Sequence, residues 1–322
     1  MIMKMLKFLL RSQIKSSKVM QKPGGFTLIE LLVAALIASI IITPLLGFMV
    51  SVMRTDRQEQ AKANSEQEIQ TALNYISREL KQAVYIYDAD GVEAIRDQLP
   101  YADDNQKSPV LVFWKRDLVR EVIAAATGDR DDAFVYSLVA YYLIKDSTAS
   151  PTWSNASRIA RWQIQDGVIA RTGGVSCDGY DTEIKYITGN CPNEGFASFT
   201  QQLEEVGSLE QAMNQWQKNP DRPYNLNFNK LTVLTDYIDQ TPILTGSPNC
   251  PADFTSPPVT PGNITGFYAC VDVENVTAQV FIRGNALARL ESNPNNINYS
   301  AANSSYFPKT SVRTQGRGFI FR

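Results

Sequence analysis

The chain has 322 residues, enough for one or two domains, with 31 basic and 33 acidic side chains and no histidine. Without histidine the commonest general base and metal ligand is missing, which excludes Ser-His-Asp, Cys-His and histidine–zinc enzymes and leaves the expectation of a non-catalytic protein with no cofactor and no metal site. The net charge of −2 hides an asymmetry: residues 1–25 hold Lys4, Lys7, Arg11, Lys15, Lys18 and Lys22 and no acidic residue, so the remainder sets 25 basic against 33 acidic side chains, a net of about −8 that argues against nucleic acid as a partner.

From Phe26 to Met53 the only charge is Glu30, and the run is long enough to cross a bilayer as a helix. Basic residues crowd its amino-terminal side, so the positive-inside rule predicts a cytoplasmic leader and an exported chain after Arg54. A secretory signal is cut after its apolar run at a small-x-small stretch, yet Pro44–Arg54 offers none. The small residues lie before the run, at Gly24 and Gly25, where bare backbone is open to a protease and Pro23 stops helix from extending back. This divides the chain into a leader (1–25), an apolar helix half (26–53), an amphipathic helix half (54–87) and a head (88–322).

The run Lys22-Pro23-Gly24-Gly25-Phe26-Thr27-Leu28-Ile29-Glu30 closely resembles the prepilin signal of type IV pilins and type II secretion pseudopilins. The resemblance implies that a prepilin peptidase cuts after Gly25 and methylates the new amino group of Phe26. It also implies that Glu30, fifth in the mature chain, pairs with the amino terminus of a neighbouring subunit during filament assembly; a carboxylate costs roughly 2.5 to 3.5 kcal/mol at mid-membrane, so it needs such a reason. Pro44 lies where pilin helices commonly carry a helix breaker, permitting a kink or local melting.

Beyond Arg54 apolar residues recur at Ile69, Leu73, Ile76, Leu80 and Val84, which predicts helix from Phe26 to about Tyr87, roughly 90 Å at 1.5 Å per residue, stopped at Asp88-Ala89-Asp90-Gly91. The latter has a fragment of calcium-loop character, but without the later bidentate glutamate it reads as a helix-ending turn. Strands are predicted at Val110–Trp114, Phe134–Ile144, Arg158–Ile164, Leu231–Leu234, Tyr268–Val273 and Gln279–Ile282. Asp129–Asp132 reads as a solvated turn, and Leu203, Val206, Leu209, Met213 and Trp216 fall on one face of a core-packing helix. Residues 242–262, with six prolines, and the Asn/Ser-rich residues 292–305 read as loops. The fold class is therefore α+β, with the pilin-like lollipop as the expected shape: a long amino-terminal helix packed on a mainly antiparallel β head.

The four cysteines, Cys177, Cys191, Cys250 and Cys270, lie on the exported side and form no Cys-x-x-Cys pair, so two disulfides are expected. Three pairings are open; joining Cys177 to Cys191 and Cys250 to Cys270 closes the shortest loops.

A mature chain of about 297 residues is large for a major pilin, and this resembles a minor pilin or large pseudopilin. Ser137–Asp146, Ala160–Ile164 and Arg283–Leu287 are also similar to the pseudopilins of cyanobacterial hormogonium polysaccharide secretion. These resemblances imply a minor structural subunit of a type II secretion-like or type IV pilus-like filament, serving polysaccharide secretion and associated motility. Its implied partners are other pilins, the prepilin peptidase, an inner-membrane platform protein, an assembly ATPase and exported polysaccharide. It would span the inner membrane once, with a cytoplasmic amino terminus. The alternatives are a minor pilin of a motility or DNA-uptake pilus and a signal-anchored extracytoplasmic glycan-binding protein.

Overall fold

The computed structural model describes residues 25–124, 128–147, 150–199, 208–243, 248, 250–257, 260 and 263–318. Helix α1 (Leu28–Leu80) is followed by strand β1 (Ala83–Ile86), helix α2 (Ala89–Ala94), strands β2 (Lys107–Ala124), β3 (Arg130–Ile144) and β4 (Ser157–Gln165), helix α3 (Leu209–Asn214), and strands β5 (Thr232–Ile238), β6 (Phe267–Asp272), β7 (Thr277–Arg283) and β8 (Lys309–Gln315). Strands β1 to β5 form one antiparallel sheet in sequence order and β6 to β8 a second, which makes the chain an α+β protein with a long amino-terminal helix followed by antiparallel sheets.

Two compact units divide the chain, residues 1–56 and 57–322. In the first, α1 is apolar and its large side chains from Leu28 to Met53 are exposed to the surroundings. The helix continues as α-helix through Pro44. Thr43 Oγ1 donates to the Ser39 carbonyl at 2.7 Å in the turn where proline removes a donor.

In the second unit Ile69, Leu73, Ile76 and Leu80 of α1 share a core with Leu111, Phe113, Val139 and Tyr141 of the large sheet and Phe267, Val280 and Ile282 of the small one. The opposite face of the large sheet is also buried: Trp114, Leu138, Tyr142 and Trp162 pack with Phe196, Phe199, Met213 and Trp216. β3 is covered on both faces, and its stretch Leu138–Ile144 is an unbroken apolar run, whereas β4 interleaves Ile159, Ala160, Trp162 and Ile164 with Arg158, Arg161, Gln163 and Gln165. The β2–β3 hairpin extends beyond this core, where Val122, Ala133 and Val135 pack on Val168.

The helix ends at Leu80 and not near Tyr87, so it spans 53 residues, about 80 Å. Val84 continues the i, i+4 spacing from Leu80 but belongs to β1, where Val84-Tyr85-Ile86 takes the extended form favoured by β-branched and aromatic side chains and pairs with β2. Asp88 starts a helix instead of stopping one: its side chain accepts from the Gly91 N–H at 2.8 Å and caps α2. Residues 130–132 belong to β3 rather than to a turn, and Asp132 Oδ1 accepts from the Glu121 N–H at 2.9 Å. Of the helix expected over 203–216, Leu203 and Val206 lie outside the described residues, and α3 covers its last turns. Within 292–305, residues from Ala301 onward form a 3-10 helix.

Candidate functional site

Gly25 precedes the helix and is exposed, and a Cβ built on it meets nothing within 4 Å. Packing therefore does not demand glycine there. Phe26 is 83% exposed, so the first residue expected in the mature chain is free to be modified. Glu30 lies in the first turn of α1, where its N–H bonds to the Thr27 carbonyl at 3.1 Å and to Thr27 Oγ1 at 3.3 Å. The Thr27 hydroxyl donates to Glu30 Oε2 at 3.4 Å. Threonine and glutamate three residues apart thus make a capping pair, and the carboxylate sits at the positive end of the helix dipole. Pro44 lies farther along the same exposed apolar stretch.

Further along α1, in the second unit, a second carboxylate is buried. Glu79 accepts from Lys115 Nζ at 2.6 Å, from Tyr141 OH at 2.5 Å and from Arg161 through two bonds of 2.7 Å each. Lys115 also meets Asp117 at 2.9 Å, and Asp117 accepts from Ser137 and Gln163 at 2.7 Å each. Burial pushes the Glu79 carboxyl up, but the Arg161 bonds and charge, with Lys115, outweigh it and hold the group below its ordinary value. Burial first, then the Glu79 charge, pushes the Tyr141 phenol well above its ordinary value and keeps it a donor. The network ties α1 to three strands of the sheet at one point.

Residues 20–46 match the family model described as the prokaryotic N-terminal methylation motif. This is a type IV pilin-like amino terminus. No curated protein and no solved structure is found to match the chain. The matched segment contains Gly25, Phe26, Glu30 and Pro44, and such a motif implies assembly with other pilins and processing by a prepilin peptidase. The pilin-like helix is long and apolar enough to cross a membrane, with a mean hydropathy of 2.5 over its most apolar window, none of it buried, which fits a membrane anchor.

In the second unit Cys177 is joined to Cys191 and Cys250 to Cys270, the short-loop pairing among the three open to the sequence. The first bridge closes a loop between β4 and α3; the second fastens the segment before β6 to that strand. Two features of the chain go beyond the sequence expectations. Thr27 as partner of Glu30 was legible, since threonine three residues before glutamate is a capping signature. The Glu79 network was not, because Glu79, Lys115 and Arg161 look like solvated charges until pairing of the strands brings them to one face.

Proposed function

We propose that the chain is a minor subunit of a type II secretion-like or type IV pilus-like filament, and that it enters the filament through Phe26 and Glu30. The observation that carries this is the processing segment itself: an exposed Gly25–Phe26 junction leading into a bare apolar helix with a single carboxylate in its first turn. An uncompensated Glu30 in hydrocarbon is costly. The new amino group of Phe26 on a neighbouring subunit is a cation at the right depth to offset it, which sets the axial register between subunits. A head of this size, with two disulfides and long loops, suits a subunit present in few copies better than the repeating body of a filament. The cargo we assign is polysaccharide, on the likeness of three head segments to polysaccharide-secretion pseudopilins. The platform protein and assembly ATPase are then the inner-membrane partners, and the chain performs no catalysis.

Mass analysis of the membrane-extracted protein, with and without its prepilin peptidase, tests the first step. The expected product begins at methylated Phe26 only when the peptidase is present; an intact leader, or a cut beyond Met53, overturns the reading. Glu30→Ala is expected to be processed and folded normally yet to be lost from sheared filaments. Deletion of the gene separates the two machines: loss of polysaccharide export with pili intact supports the secretion filament, and loss of pili supports a minor pilin.

A further inference from the structure

A cleft of about 570 Å³ runs between one face of α1 and the outer edge of β5 in the second unit. Asn64, Gln67, Glu68 and Tyr75 line it from the helix at spacings that keep them on one face, and Trp153 and Asp236 line it from the sheet side. Tyr75 and Trp153 are 40% and 38% exposed, whereas the other three tryptophans, Trp114, Trp162 and Trp216, are buried. Trp153 is held in place: Arg158, itself in two bonds to Asp146, lies 5.5 Å from the ring centre, and the next residue, Ser154, is tied to Asp236 by two bonds of 2.8 Å. Asn64 and Gln67 have no side-chain hydrogen-bond partner among the described residues. No lysine or arginine lines the cleft, and its two charged residues are acidic.

Two exposed aromatic rings beside unpaired amides are the chemistry that binds sugars. The rings stack on the apolar faces of pyranoses, the amides both donate to and accept from hydroxyls, and the volume lies in the range of small-ligand sites. The lining offers no basic residue to a uronic, sulfated or phosphorylated chain; Glu68 is already paired with Arg289, and Asp236 is left to repel a polyanion. We propose that this cleft binds a neutral, hydroxyl-rich glycan, with Trp153 and Tyr75 as stacking platforms and Asn64 and Gln67 as hydroxyl readers. The assignment rests on the reading of the head as a component displayed among exported polysaccharide, but its binding chemistry can be measured apart from filament assembly.

The test uses the full chain in detergent micelles, titrated with neutral hexasaccharides of glucose, galactose and mannose in α1,4, β1,3 and β1,4 linkage. Polygalacturonate and an alternating Thr-Val decapeptide able to pair with the β5 edge are the contrasting probes. At least one neutral hexasaccharide is expected to change the tryptophan fluorescence, and the change is expected to vanish in Trp153→Phe because the other tryptophans are buried. Trp153→Ala and Tyr75→Ala are each expected to weaken binding by about tenfold or more, measured by calorimetry, with melting curves unchanged. Binding of polygalacturonate or the decapeptide alone, binding unaffected by both substitutions, or no binding by any neutral hexasaccharide overturns the proposal. Failure here with normal incorporation of the wild-type chain leaves the filament reading standing; glycan binding without Phe26 processing removes that reading and leaves the cleft.

Discussion

Glu79 is held by two cations and a phenol, so the consequences of changing it depend on the partners left behind. In Glu79→Gln the Arg161 guanidinium loses its two charge-assisted bonds while still half-buried, and Lys115 keeps only Asp117. Breaking one side of such a pair is expected to cost about 3 kcal/mol, read as a lowered midpoint in denaturant with an unchanged slope. Because the folded-state carboxyl titrates below its ordinary value of 4.5, its contribution is complete above that pH and is lost as pH falls through the lower folded value. Asp166 has the opposite sign. Burial raises its carboxyl from 3.8 to about 6, the Gly167 N–H offsetting only part of this, so the folded state loses stability as pH rises from about 4 to about 6. Asp166→Asn is therefore expected to gain about 1 to 2 kcal/mol at pH 7.5 and nothing at pH 3.5, after allowance for its partial exposure. Thermal melts of both variants from pH 3 to 8 check the two signs together, and an Asp166→Asn melt that gains equally at both ends of the range would contradict the assignment.

At the scale of elements, the seat of α1 in the second unit depends on a glycine. A Cβ on Gly284 would lie 2.6 Å from Ser65 Oγ and 3.2 Å from Ile69 Cγ2, so Gly284→Ala is expected to cost about 1 to 3 kcal/mol through overpacking. Ser65 Oγ is buried without a partner, so Ser65→Ala alone is expected to be neutral or stabilising, and in the double variant it should recover part of the Gly284→Ala loss. Additive losses in a double-mutant cycle would mean that the two residues do not meet. The same elements explain what could be read from the sequence. The long helix and six of the eight strands were visible, because the helix is long and apolar, β3 carries an unbroken apolar run, and the other strands are marked by β-branched and aromatic residues. Strand β1 was hidden by accident of spacing, Val84 falling four residues after Leu80. Strand β8 was hidden by composition: its inward positions are Thr310, Val312 and Thr314, with Thr314 bonded to Ser77 of α1 at 2.9 Å, so alternation exists without an apolar signal. The amino-terminal motif was legible because it is a run of local sequence. The Glu79 network and the cleft beside β5 were not, since each joins residues of α1 to residues more than 30 positions further along the chain.

The whole molecule carries an asymmetry that predicts its orientation. Six basic side chains lie before the apolar stretch, the rest of the chain has an excess of acid, and all four cysteines are paired. Basic residues resist translocation, which predicts the cytoplasmic side for residues 1–25. Disulfides form in an oxidising compartment, which predicts the other side for the head. Two independent chemistries therefore point to one orientation, and each can be measured alone. In right-side-out membrane vesicles from cells lacking the prepilin peptidase, where the leader stays attached, added protease is expected to degrade the head while an epitope fused ahead of Met1 stays protected until the membrane is opened. In the same vesicles a thiol-reactive maleimide is expected to label none of Cys177, Cys191, Cys250 and Cys270 until reductant is added. With the bridges closing loops of 14 and 20 residues, substitution of either pair by serine is expected to destabilise the head by about 3 kcal/mol. A protected head with free thiols would reverse the orientation and with it the filament reading. A protected head with intact bridges would mean instead that the vesicles were inverted, which the exposed epitope would reveal.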